Sequence, residues 1–290
     1  MSVTPPAIPV LDSIEDLGGR CRAWLVDIWG VMHNGRTSFP RAVAAAQAFR
    51  AQGGIVVLLS NSPRPSPSAQ DQLRGLGVPD ACYDATVTSG DLTRHELAKH
   101  PGARVFHLGP ERDRGIFDGL DVVLVGPDEA ELIVCSGLFD DETETPDDYT
   151  DLLRDLAARD LPMICANPDH LVERGAELIY CAGALAAVYE REGGSVVYAG
   201  KPYAPIYELA LETIDRLAGE SVAKDAILAI GDGINTDIAG AAAAGIDSVF
   251  VASGLHVPGG GEEEIDREHL AELFAHAKRR PLGAIRALAW

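Results

Sequence analysis

Three uninterrupted apolar runs in this chain of 290 residues each stop at a small or acidic residue. Ala23-Trp24-Leu25-Val26 gives way to Asp27, Ile55-Val56-Val57-Leu58-Leu59 to Ser60, and Ala226-Ile227-Leu228-Ala229-Ile230 to Gly231-Asp232. Runs without polar alternation are typical of strands buried on both faces of a parallel sheet. Alanine-rich stretches with apolar residues at helical spacing lie between them, such as Arg41–Gln52, which Gly53-Gly54 closes. This alternation predicts an α/β fold built on a doubly wound, Rossmann-like parallel sheet. It also puts each polar residue at a strand's carboxyl end, where open α/β sheets bind ligands.

A second alternation begins after His100-Pro101-Gly102. Strands are predicted at Arg104–Leu108, Val122–Val125, Glu131–Cys135 and Pro162–Cys165, with helices at Pro146–Ala158 and Ala182–Glu190. This block predicts a smaller α/β domain of residues 102–195, inserted into a core formed by residues 1–101 and 196–290. From Ser195 the first pattern resumes with the strand Val196–Tyr198, which leads into Gly200-Lys201-Pro202 and a helix over Pro205–Ala218. Four strand ends, carrying Asp27, Ser60, Lys201 and Asp232, are then expected on one edge of one sheet. A carboxylate nucleophile, a hydroxyl, an ammonium and further carboxylates suit phosphoryl transfer, where catalysis is mostly positioning and charge neutralisation. Mg²⁺ takes oxygen ligands and fits Asp27 with Asp232. Attack by an aspartate on phosphorus would give an aspartyl-phosphate and split hydrolysis into two steps.

Composition removes several alternatives. A formal net charge of -20 argues against nucleic-acid and anionic-membrane partners, which are themselves negative. It leaves room for an anionic small substrate held through a cation. The five cysteines are scattered with no Cys-x-x-Cys pair, as expected of reduced thiols in a cytoplasmic protein. Met1–Pro9 lacks the basic-then-apolar order of a secretion signal, and no apolar stretch reaches the ~18 residues that span a bilayer. The acidic loop Asp140–Glu144 lacks the carboxylate spacing of an EF-hand and reads as a solvated loop. Gly231-x-Gly233 lacks the third glycine of a dinucleotide fingerprint.

In order along the chain, Asp27-Ile28-Trp29-Gly30-Val31, Ser60-Asn61-Ser62, Gly200-Lys201-Pro202 and Gly231-Asp232-Gly233 with Thr236-Asp237 resemble the four motifs of the haloacid dehalogenase superfamily. The insertion, with Asn167-Pro168-Asp169 and Ala182-Gly183-Ala184-Leu185, resembles that of class IIA, the sugar-phosphatase and nitrophenylphosphatase-like branch. The resemblance implies that Asp27 is the nucleophile and a Mg²⁺ ligand, with the Trp29 carbonyl, Asp232 and Asp237 completing the metal set. It implies that Ser60 and the Asn61 amide hold the phosphoryl group and that Lys201 pairs with both nucleophile and phosphate. It places substrate selection in the insert, acting as a mobile cap, with Asn167 and Asp169 binding substrate in the stretch Asn167–Glu173. Caps of this kind often dimerise in the relatives it resembles, so the resemblance allows a homodimer through the cap and leaves the oligomeric state open.

One position departs from the pattern. Most phosphatases of this superfamily carry a second Asp two residues after the nucleophile, which protonates the leaving group and activates water. Trp29 stands there, and an indole does not shuttle protons at neutral pH. Such general acid–base help is worth ~10²–10⁴-fold. The expected function is hydrolysis of a small phosphorylated metabolite, a sugar phosphate or similar, with His33 or water carrying the proton or with leaving groups that depart without one. The alternatives are a phosphate-ligand-binding or regulatory protein with a degenerate site, and a carbon–halogen hydrolase, which would not need Asp232 and Asp237.

Overall fold

The computed structural model describes residues 7–174, 177–252 and 265–290. The secretion-signal reading of Met1–Pro9 lies for residues 1–6 outside the described residues. The strands in chain order are β1 (Val10–Leu11), β2 (Ala23–Asp27), β3 (Ile55–Ser60), β4 (Ala85–Thr88), β5 (Ala103–Leu108), β6 (Val122–Leu124) and β7 (Leu132–Cys135). They continue with β8 (Pro162–Cys165), β9 (Leu171–Arg174), β10 (Glu177–Tyr180), β11 (Ser195–Tyr198), β12 (Ile227–Gly231), β13 (Asp247–Val251) and β14 (Gly283–Ile285). The chain divides into two compact units, one of Met1–Leu59, Leu73–Thr86 and Tyr207–Trp290, the other of Ser60–Gln72 and Val87–Ile206.

The first unit centres on a sheet of seven strands in the order β1-β14-β13-β12-β2-β3-β4. β2 pairs in parallel with β12 on one side and with β3 on the other. Strand order reverses at this point, so the crevice outside the ends of β2 and β12 is the switch point where doubly wound sheets bind ligands. All five residues of β2 and all five of β12 are buried, as the unbroken apolar runs require. Beneath β2, Trp24 is fully buried and stacked on Phe49 of the helix Pro40–Ala51, ring centroids 4.0 Å apart, with Trp290 at 5.7 Å. That aromatic packing anchors the strand that delivers Asp27.

The second unit holds a five-stranded sheet in the order β11-β8-β7-β5-β6, whose pairings are all parallel, and the antiparallel hairpin β9–β10. The helices Thr150–Ala157 and Ala182–Arg191 pack Leu153, Leu156, Leu185 and Tyr189 against this sheet's apolar face. β11 corrects one expectation. Val196–Tyr198 pairs with β8, so the strand before Lys201 belongs to this sheet and not to the one carrying Asp27. Three of the four strand ends, those of β2, β3 and β12, share one sheet. Among the described residues no helix is long and apolar enough to cross a membrane.

Candidate active site

In the first unit, Asp27 ends β2, Asp232 follows β12, and Asp237 lies one turn further on; all three are at least nine-tenths buried. One carboxylate oxygen of each lies within 4.8 Å of those of the other two. At such distances each pair of like charges repels by about 3–4 kcal/mol at an effective dielectric near 20. A purely oxygen donor set of this compactness fits a hard divalent cation such as Mg²⁺.

Glycines make this approach possible. Gly30 has φ +85°, and a Cβ there would fall 2.0 Å from Asp232 Oδ2, so only glycine lets the loop pass beneath that carboxylate. A Cβ on Gly231 would lie 2.2 Å from Asp237 Cγ. Asp237 is turned inward by a wide π-type turn, Ile234–Ile238, closed by the Ile238 N–H donating to the Gly233 carbonyl at 3.0 Å. Such wide turns recur at functional sites because they rotate a side chain out of helical register. The Gly233 N–H donates to Asp237 Oδ2 at 3.1 Å, and the Tyr207 hydroxyl donates to the Asp237 carbonyl at 3.2 Å.

The loop after Asp27 explains how Trp29 is accommodated. Its half-buried indole meets His33 edge-on, centroids 5.2 Å apart, and lies against Gly35, where a Cβ would sit 2.5 Å from the ring. Gly35 has φ +82°, and its N–H donates to His33 Nδ1 at 2.9 Å. His33 Nδ1 is thereby an acceptor, which leaves the ring proton on Nε2. His33 is 2% exposed, and burial pushes its pKa down to about 4, so at neutral pH it is a neutral hydrogen-bond donor and not an acid.

His107 of β5 is also pushed down to about 4, first by burial and then by the Arg114 charge, while its Nε2 meets Ser136 Oγ at 2.9 Å. Histidines of the unfolded chain take up protons from about pH 6.5. Between pH 6.5 and 4 the unfolded state therefore binds more protons than the folded one, and stability falls as pH falls. The expected loss between pH 7 and pH 5 is about 2 kcal/mol per ring. Urea denaturation at the two pH values checks it, and His107→Gln should remove about half of the loss.

In the second unit, Ser60, Asn61, Lys201, Asn167 and Asp169 come together. Ser60 is 6% exposed and its Oγ accepts the Ser62 N–H at 3.1 Å. Lys201 is only 2% exposed, an unusual burial for an ammonium that a surface lysine would not show. Asn61 Nδ2 donates to Asp169 Oδ1 at 2.9 Å, and the Asp169 N–H donates to Asn167 Oδ1 at 3.1 Å. His170 is exposed. The Glu173 side chain, last of the stretch expected to select substrate, lies outside the described residues. Pattern reading missed Ser89, which closes around Asn61 together with Gly200 of the Gly200-Lys201-Pro202 motif. The run Thr88-Ser89-Gly90-Asp91 had a usable signal, since it forms a capping box at the start of the helix Ser89–Leu97.

The fold and site thus define an α/β protein with three clustered carboxylates at the switch point of a doubly wound sheet. Family comparisons specify it. Residues 24–123 match the model of haloacid dehalogenase-like hydrolases, and residues 198–277 match a second, HAD-hydrolase-like model. A solved structure from Brucella suis 1330, a hydrolase of the haloacid dehalogenase-like family, is 47% identical, with TM-score 0.86 over 96% of this chain and 100% of its own. The chain belongs to the haloacid dehalogenase-like hydrolase family. Ribonucleotide monophosphatase NagD of Escherichia coli K12 is 28% identical over 241 residues, covering 80% of this chain and 87% of NagD. The acid sugar phosphatase of Staphylococcus aureus USA300 is 25% identical over 238 residues, covering 81% of this chain and 87% of that protein.

Proposed function

We propose that the chain is a Mg²⁺-dependent phosphatase of a small phosphorylated metabolite, a sugar phosphate or a similar ester. The observation that carries this reading is the cluster of Asp27, Asp232 and Asp237, buried and within 4.8 Å of one another at the sheet's switch point. Similarity to a nucleotide monophosphatase and a sugar phosphatase supports the same class of substrate.

In this mechanism Asp27 attacks phosphorus as the P–O bond to the ester oxygen breaks, and the alcohol or phenol departs. Asp27 is thereby phosphorylated as an aspartyl-phosphate, which water then hydrolyses to inorganic phosphate and free Asp27. Asp27, Asp232, Asp237 and the Trp29 carbonyl would hold Mg²⁺, whose charge offsets that of the phosphoryl oxygens. Ser60 and the Asn61 backbone amide hold the phosphoryl group, and Lys201 screens its charge against the nucleophile. The insert 102–195 acts as a cap that excludes water and selects the leaving group. Because Trp29 brings no transferable proton, the reading favours esters whose leaving groups depart unprotonated, or delivery of the proton by water. The exposed apolar side chains Leu171, Leu178 and Tyr180 on the β9–β10 hairpin support a homodimer through this unit, and five free cysteines fit a cytoplasmic enzyme.

Trp29 is also the one feature that favours a second reading, a regulatory protein that binds phosphorylated ligands without turnover. A Mg²⁺-dependent phosphate-release screen over sugar, nucleotide and aryl phosphates separates the two. Release of phosphate supports the phosphatase, and binding without release supports the regulator. Saturating Mg²⁺ is further expected to raise the melting temperature, since ligand at 100 times Kd adds about 2.7 kcal/mol. Gly30→Ala, which drives a methyl group into Asp232, should shrink that rise.

A further inference from the structure

The Asn61 side chain is saturated. An amide offers two N–H donors and two acceptor positions on oxygen. Asn61 Nδ2 donates to Asp169 Oδ1 at 2.9 Å and to the Lys201 carbonyl at 3.1 Å. Asn61 Oδ1 accepts the Lys201 N–H at 2.7 Å and the Ser89 hydroxyl at 3.5 Å. These partners fix the orientation of the amide, because a peptide N–H must meet the oxygen and a carboxylate must meet the NH₂. Two of the four bonds go to the same residue, so Asn61 grips both the N–H and the C=O of Lys201, as a neighbouring strand would.

The surroundings are built to that grip. A Cβ on Gly200 would fall 2.4 Å from Ser89 Oγ, 2.6 Å from Pro168 Cδ and 2.7 Å from Asn61 Oδ1. A Cβ on Gly183 would fall 2.2 Å from the Pro168 carbonyl oxygen, and one on Gly90 2.2 Å from that of Pro63. Asn167, 8% exposed, turns the Asn-Pro-Asp loop by accepting the Asp169 N–H. Three segments distant in sequence thus close on one amide that is 4% exposed.

We propose that Asn61 is a positioning residue for Lys201, and that Asp169 and Asn167 serve the same node by orienting the Asn61 amide. Through the clamp the position of the Lys201 ammonium depends on the Asn-Pro-Asp loop of the insert. Its catalytic consequence rests on the phosphatase reading above. A misplacement of about 1 Å at such a group costs on the order of 10² in rate.

The test compares Asn61→Ala, Asp169→Ala and Asp169→Asn with the wild-type protein in saturating Mg²⁺. Two readouts are taken: calorimetric affinity for inorganic phosphate, and kcat with KM on p-nitrophenyl phosphate and on an alkyl phosphate. Asn61→Ala is expected to lower kcat by about 10² on both substrates and to weaken phosphate binding. Asp169→Asn keeps an oxygen that can accept from Asn61, so it should retain at least ten times the activity of Asp169→Ala. Equal damage from the two Asp169 variants would overturn the proposal, since it would show that the charge acts directly. So would a loss in Asn61→Ala confined to one leaving group. Asp169 is part-exposed, so its two variants keep the test open if Asn61→Ala does not fold. Should the wild-type protein release no phosphate from any ester, the phosphatase reading fails. Phosphate affinity across the same variants still decides the clamp.

Discussion

Asp27→Asn should reduce phosphate release by roughly 10⁴-fold or more while leaving the protein folded, as loss of a nucleophile does in other hydrolases. That factor corresponds to about 5 kcal/mol of barrier. An amide cannot form the acyl phosphate, and its oxygen is a poorer ligand for a hard cation than a carboxylate. The fold should survive because Asn matches Asp in size and β2 is held by Trp24 stacked on Phe49, one strand-length away from the change. Two measurements check the assignment together. Phosphate release should vanish, and the rise in melting temperature produced by Mg²⁺ should shrink, because one of three mutually close carboxylates is gone. Wild-type turnover by this variant would move the nucleophile elsewhere. Loss of turnover with an unchanged Mg²⁺ response would keep Asp27 as nucleophile and remove it from the metal set.

The physical reason that Asp27 and Asp232 could be read from sequence is burial. A strand covered on both faces tolerates no charge within it, so an acid that ends such a run sits at the sheet's edge. The same logic found Ser60. It assigned Lys201 a strand but the wrong sheet, because Ser195–Tyr198 has the same pattern whichever sheet it joins, and pairing with β8 is set by long-range contacts. The hairpin β9–β10 went unassigned because each strand has four residues and mixes charge with apolar side chains. β14 has only three residues and opens on Gly283. The role of the Asn61 side chain was beyond pattern reading altogether. It depends on Ser89, Asp169 and Lys201, residues 28, 108 and 140 positions away.

Trp29→Asp should raise turnover of an alkyl phosphate by about 10²-fold, toward the ~10²–10⁴ that general acid–base catalysis supplies. The gain should be much smaller for p-nitrophenyl phosphate, whose leaving group departs as a stable anion without a proton. Wild-type rates across a series of esters are accordingly expected to fall steeply as the leaving group becomes more basic, and the W29D variant should flatten that slope. The substitution has a structural cost. The indole packs edge-on against His33 and along Gly35, and its removal leaves that side of the loop open. Trp29 is only half-buried, so the loss should stay below the roughly 3–5 kcal/mol of a fully buried tryptophan. Melting curves distinguish that cost from a chemical effect. A folded W29D variant that turns over alkyl phosphates more slowly than the wild type would give the indole a positive part in the reaction. The loop's geometry would then be tuned to the ring itself, with Gly35 at φ +82° kept free of a side chain to admit it.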